Sequence, residues 1–125
     1  MKEVISTETA PAAIGPYSQA IKKNGIVYVS GQIPINPKSG KIEAQTISDQ
    51  ARQSFTNIGE ILQKAGMSFA DVLKTTCFLK DMTDFSDFNK VYAEFFTGNC
   101  PARSCVAVKQ LPKDALCEIE VIACK

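Results

Sequence analysis

The order of elements in this chain is that of a two-layer α+β domain, a single β-sheet carrying two helices on one face. Three observations predict it. Two amphipathic helix patterns occupy the middle of the chain, separated and flanked by β-rich runs. Asn24-Gly25 stands between two such runs, a hairpin signal because both residues tolerate positive φ. The 125 residues, 45% of them hydrophobic, suit one domain over residues 1–125 with a real core.

Val4 and Ile5 begin a short strand. Thr7 to Pro16 is a loop, marked by Pro11 and the turn signal Gly15-Pro16. Tyr17 to Lys23 and Ile26 to Ser30 form the arms of the Asn-Gly hairpin, and Gly31 ends the second arm. Gln32 to Lys41, with Pro34, Pro37 and Gly40, reads as a loop. Thr46 to Ala65 is a helix, because Ile47, Ala51, Phe55, Ile58, Leu62 and Ala65 recur at three- and four-residue steps. Thr46 with Asp49 resembles a capping box, and Gly66 is a natural residue just past the end. Gly59 weakens the helix interior and lets it pack closely on a sheet. Val72 to Leu79 is a strand, with Thr75, Thr76 and Phe78 favouring extension. Asp84 to Phe96 is the second helix, its apolar stripe built from Phe85, Phe88, Val91, Tyr92, Phe95 and Phe96.

The last quarter reads as a second hairpin, Pro101 to Val106 and Glu118 to Ala123 around the turn-like Leu111-Pro112-Lys113-Asp114. Strand alternation puts Cys117, Ile119, Val121 and Ala123 on one apolar face and Glu118, Glu120 and Ile122 on the other. Carboxylates in mid-strand must meet water, a cation or a polar site. A solvated face on which Arg103 balances a glutamate would satisfy this. In a hairpin centred near Leu111–Asp114, however, Ala107 opposes Glu118 and Arg103 lies roughly 13 Å further along. That offset points to a meeting of Arg103 and Glu118 across a subunit boundary or through a ligand. With both helices on one face, the glutamate-bearing face is left uncovered, which points to self-association.

The formal net charge is +1, and no basic run supports binding to nucleic-acid phosphates. No apolar run reaches the roughly 18 residues of a membrane span. Met1 to Ser6 lacks the apolar stretch of a signal peptide. The five cysteines, Cys77, Cys100, Cys105, Cys117 and Cys124, include no C-x-x-C pair and are odd in number. They read as reduced thiols of a cytoplasmic protein rather than a disulfide framework or zinc site. Histidine is absent, which removes a Ser-His or Cys-His dyad and the commonest transition-metal ligand. Acid–base chemistry then falls to carboxylates, lysine, tyrosine, cysteine or held water.

Several stretches together resemble the Rid, or YjgF, family of reactive-intermediate deaminases. They are Ala10-Pro11-Ala12-Ala13-Ile14-Gly15-Pro16-Tyr17-Ser18-Gln19, Ser30-Gly31-Gln32-Ile33-Pro34 and Lys74-Thr75-Thr76. Phe88-Asn89, Pro101-Ala102-Arg103-Ser104-Cys105-Val106, Leu111-Pro112-Lys113-Asp114-Ala115 and Glu118-Ile119-Glu120 complete the set. The arginine motif is most similar to the RidA subgroup. The resemblance implies a chorismate-mutase-like fold and a homotrimer with a central β-barrel, helices outside and sites between subunits. It implies hydrolysis of 2-iminobutanoate and 2-iminopropanoate, or their enamines, to 2-oxo acids and ammonia without metal or organic cofactor. Such an activity protects pyridoxal-phosphate enzymes.

By the same resemblance Arg103 clamps the substrate carboxylate, a role its planar fork suits. Glu118 holds and activates water, with Glu120 structural. Cys105 contributes its backbone carbonyl, its side chain being a small packing residue. Tyr17 closes the cleft, Ser30 and Gly31 shape the pocket, and Asn89 lies near the site. Two other readings stay open on sequence: a ribonuclease or translation inhibitor, and a non-catalytic trimer that binds small carboxylates.

Overall fold

A computed structural model describes all residues from Met1 to Lys125. It has one main sheet and two helices, an α+β arrangement. The strands are β1 (Glu3–Ile5), β2 (Ala20–Lys23), β3 (Ile26–Gln32), β4 (Ile35–Asn36), β5 (Lys41–Ile42), β6 (Val72–Leu79), β7 (Ala102–Ala107) and β8 (Cys117–Cys124). The helices are α1 (Ile47–Lys64) and α2 (Phe85–Phe95). The main sheet runs β1-β2-β3-β8-β6-β7, and β4 and β5 pair separately within the stretch read as loop. No helix is long and apolar enough to cross a membrane.

The expected hairpin at Asn24-Gly25 joins β2 and β3, both turn residues having positive φ (52° and 77°). The second expected hairpin does not form. β7 and β8 are separated by β6, which pairs antiparallel with β8 and parallel with β7. The reason lies in the order strand–helix–strand: α2 between β6 and β7 is the crossover that returns the chain parallel to where it left. The stretch after β7 is not a tight turn. Pro112 opens a 3-10 turn in which Lys113 and Asp114 both take left-handed conformations.

α1 starts where the sequence indicates. Thr46 is the N-cap and its hydroxyl accepts from the Asp49 N–H at 3.2 Å. It ends in a Schellman turn: Met67 N–H donates to Leu62 O and Gly66 N–H to Gln63 O, with Gly66 at φ 79°. Gly59 serves a different neighbour from the one expected. A Cβ there would lie 3.0 Å from the ring of Phe69, so the close contact is with that ring, not the sheet.

Both helices pack on the same side. Phe55 of α1 is fully buried, its ring 4.9–6.4 Å from those of Phe69, Phe88, Tyr92, Phe95 and Phe96. Beneath lie Val27, Val29, Cys77, Leu79, Ile119 and Val121 of the sheet. The opposite face carries Lys74, Thr76, Phe78, Glu118, Glu120 and Ile122, and no helix covers it.

Gly66→Ala isolates one backbone effect, because the added methyl meets nothing within 4 Å while φ stays left-handed. It should cost about 1–2 kcal/mol, read as a lower denaturation midpoint at unchanged slope.

Candidate functional site

Arg103 lies on β7 opposite Thr75 of β6, so its side chain shares the helix-facing side of the sheet. There α2 forms a cradle. Asn89 Oδ1 accepts from Arg103 Nη1 at 2.7 Å. The guanidinium carbon stands 4.6 Å from the Tyr92 ring centre and 5.4 Å from that of Phe85, within cation–π range. Phe85, Asn89 and Tyr92 are spaced four and three residues apart and so share one helix stripe. Tyr92 is itself fixed: its hydroxyl is 2.8 Å from Oγ1 of the fully buried Thr75. Arg103 makes no ion pair with any carboxylate of the chain, which rules out its balancing a glutamate within the protomer.

Cys105 follows two residues later on the same side, directly opposite Cys77. Burial pushes its thiol above the ordinary value, partly offset by the Arg103 charge. Burial pushes Cys77 up to about 12. Neither is a ready thiolate. All five cysteines are free.

The second group of residues lies in the middle of the sheet, around a β-bulge between β3 and β8. Val29 pairs with Val121 and Gln32 with Ile119, so Ser30 and Gly31 together face Glu120 alone. β3 thus runs on past Gly31 to Gln32 instead of ending there. At the bulge the Glu118 carboxylate lies directly on Gly31. A Cβ on Gly31 would come within 2.9 Å of Glu118 Cδ and closer still to Oε2. A side chain at position 31 would displace that carboxylate from where it lies. Burial raises the Glu118 carboxyl above its ordinary 4.5, and the charge of Glu120 adds to the effect.

Ser30 lines a recess with Tyr17 and Glu120 and also braces it: its hydroxyl donates to Ser18 O at 2.6 Å. That bond ties down the segment carrying Tyr17, whose ring is more than half exposed, at 53%. Tyr17 and Gly31 line one recess together. Gln19 is buried and holds the whole Thr7–Ser18 loop, donating to Thr7 O and Pro11 O and accepting from Thr7 N–H.

The seven expected residues therefore fall into two sets. Arg103, Cys105 and Asn89 meet on the helix side of β7; Tyr17, Ser30, Gly31 and Glu118 meet at the β3 bulge. Glu118 pairs with Phe78 of β6 and points to the open face, whereas Arg103 pairs with Thr75 and points to the helices. Two strand spacings and three residues apart, their Cα atoms are separated by roughly 14 Å, with side chains on opposite faces. The hairpin register assumed from the sequence was wrong, but the inference that the two do not meet within one chain stands. Sequence reasoning missed Tyr92 and Phe85 as arginine supports and Gln19 as a loop anchor. The four- and three-residue spacing of Phe85, Asn89 and Tyr92 was a usable signal for the first two.

A family profile described as endoribonuclease L-PSP matches residues 7–125. The chain is 57% identical to a RutC family protein of Pyrococcus horikoshii, over 100% of this chain and 99% of that one. It is 49% identical to an Escherichia coli K12 protein named 2-iminobutanoate/2-iminopropanoate deaminase, over 98% of each. Among solved structures, a Rid-family protein from Yersinia pestis superposes with TM-score 0.97 at 51% identity, covering 100% of both chains. Escherichia coli TdcF with bound serine gives 0.94 at 45% identity, covering 98% of both.

The environment of Glu118 makes a pH prediction. Its ionised form is the disfavoured one in the folded chain, so the group's contribution to stability falls as pH rises from the ordinary glutamate value through the raised one. In Arg103→Ala, where no arginine from another copy can reach the carboxylate, carboxyl NMR titration should place Glu118 above 4.5, and adding Glu120→Gln should bring it part of the way back. A Glu118 titration at or below 4.5 in that variant would contradict the burial argument.

Proposed function

The chain belongs to the endoribonuclease L-PSP family, the Rid or YjgF family of the sequence resemblance, and we propose that it hydrolyses 2-imino acids such as 2-iminobutanoate and 2-iminopropanoate to 2-oxo acids and ammonia. One observation carries the reading. Arg103 holds one hydrogen bond to Asn89 and two aromatic contacts, and it has no carboxylate partner in its own chain. An arginine fork held this way is suited to a substrate carboxylate. The Escherichia coli relative's name supports the reaction, and the serine bound to TdcF supports a small amino-acid-like ligand.

Because Arg103 and Glu118 point away from each other in one chain, the complete site takes each from a different copy. The proposed assembly is a homotrimer closed through the uncovered sheet face. Arg103 binds the carboxylate and fixes the imine carbon. The Glu118 carboxylate takes a proton from water, whose oxygen attacks that carbon to give a carbinolamine. Glu118 passes the water proton to the imine nitrogen, then takes the carbinolamine hydroxyl proton and delivers it to the same nitrogen; the C–N bond breaks, ammonia departs, and the carbonyl of the 2-oxo acid forms. The Cys105 carbonyl orients the imine nitrogen and water, and Tyr17 closes the cleft. The raised Glu118 carboxyl suits proton exchange better than an ordinary surface glutamate.

Imine decay, followed while a threonine dehydratase generates 2-iminobutanoate, tests the assignments. Loss of a charged bidentate contact costs about 2–5 kcal/mol, so Arg103→Ala should lower kcat/KM at least about thirtyfold. Arg103→Lys should recover only part. Glu118→Gln should still bind 2-oxobutanoate but lose turnover, and Cys105→Ser should keep most activity. Full activity in Arg103→Ala removes the mechanism. RNA cleavage that survives Arg103→Ala would assign the ribonuclease in the family's name to another site or a contaminant.

Sedimentation equilibrium at micromolar concentration should give three times the 13.6 kDa chain mass. A monomer would leave Arg103 and Glu118 apart and defeat the shared site.

A further inference from the structure

Beside Gly31 a recess of about 420 Å³ opens into the surface. Its walls include Ile14, Ile33, Ile35 and Pro112, and Tyr17 and Gly31 form the side next to Glu118. The volume falls in the range of roughly 300–1,000 Å³ common for small-molecule sites, far more than a methyl or ethyl group occupies.

The recess is built from pinned backbone. On one side the fully buried Asn57 of α1 donates to Ile35 O at 2.9 Å and Ile33 O at 3.4 Å. Asn57 is oriented in turn by Gln53, whose amide donates to its Oδ1 at 2.9 Å. On the other side the buried Gln19 donates to Pro11 O at 2.7 Å. The Pro112 wall belongs to a turn closed by backbone hydrogen bonds from Asp114 N–H to Leu111 O and from Ala115 N–H to Pro112 O, both 3.2 Å. Two buried amides and a hydrogen-bonded turn thus hold three walls of an apolar hollow at the edge of the proposed site.

We infer that this recess takes the side chain of the imino acid, making the preferred substrates 2-imino acids with apolar side chains longer than ethyl, with Ala12 and Ile35 setting the length. This rests on the proposed imine hydrolysis. With the substrate carboxylate on Arg103 and the reacting carbon beside Glu118, the side chain runs past Gly31 between the isoleucines. Burying each further methylene in such a wall adds preference for the longer substrate.

The test compares kcat/KM for the leucine-derived and alanine-derived imines, generated by an amino-acid oxidase. A methylene in an apolar pocket shifts discrimination by roughly 10–200-fold. Wild type should prefer the leucine-derived imine. Ala12→Leu, at an exposed position on the rim, should lower the leucine-to-alanine ratio at least about tenfold. Ile35→Ala should shift preference towards the phenylalanine-derived imine. Ratios unmoved in both variants overturn the assignment. If no imine is hydrolysed at all, the deaminase reading fails, and the recess is judged by binding alone. Wild type should hold 4-methyl-2-oxopentanoate more tightly than 2-oxopropanoate, and Ala12→Leu should abolish that preference. Equal affinities in wild type overturn the recess assignment.

Discussion

The pairing of β6 with a parallel β7 on one edge and an antiparallel β8 on the other determines where every functional group points. Side chains alternate along a strand, and ladder partners share a face. Thr75 of β6 is buried under α2, so its partner Arg103 is carried to the helix side. Phe78 is three residues on and therefore on the other face, and its partner Glu118 goes with it. A one-residue slip on either edge would move a charged group into the wrong layer. On the β8 edge the buried run of Cys117, Ile119, Val121 and Ala123 opposes such a slip, because it would turn that run out of the core.

The same constraint explains how the arginine is tolerated beside an aromatic core. Phe55 gathers five rings around itself, and one of them, Tyr92, together with Phe85 on the same helix stripe, becomes the surface on which Arg103 rests. A guanidinium is weakly hydrated and stacks on ring faces, so the partial desolvation there is offset by cation–π attraction and the Asn89 bond. The Tyr92 hydroxyl is raised by burial and so stays protonated at neutral pH, which keeps its bond with Thr75 and locks the ring. Core packing and the placing of Arg103 are therefore one structure at this edge. The residues that fill the core also aim the arginine.

Much of this was legible in the chain. The helix periods, the Thr46 cap, the Gly66 stop and the Asn24-Gly25 hairpin are local signals, each decided within a few residues, and they appear where expected. The apolar alternation of Cys117, Ile119, Val121 and Ala123 correctly opposed Glu118 and Glu120. The failure came at β7, where a turn-like Pro-Lys-Asp stretch outweighed the non-local crossover. Strand pairing across a helix leaves no mark inside either strand, and only the strand–helix–strand order points to it. The β-bulge at Ser30–Gly31 was equally hidden, since it is a relation between two strands. The short β4–β5 pair was lost because two-residue strands carry too little pattern to read.

Electrostatics ties the two half-sites together. In the isolated chain Glu118 lies half buried against Gly31, near Glu120, with no cation paired to it, and its carboxyl is raised. Arg103 is partly buried with no anion. Bringing a second copy's Arg103 within reach of Glu118 would favour the ionised carboxylate and lower its pKa, working against the burial that raises it. The substrate carboxylate would then occupy the fork and weaken that pull at the moment a base is needed. Binding the substrate would raise the proton affinity of the group meant to accept water's proton. In the proposed assembly the carboxylate would be kept ionised before substrate binding and made more basic by it, with a single arginine serving both states.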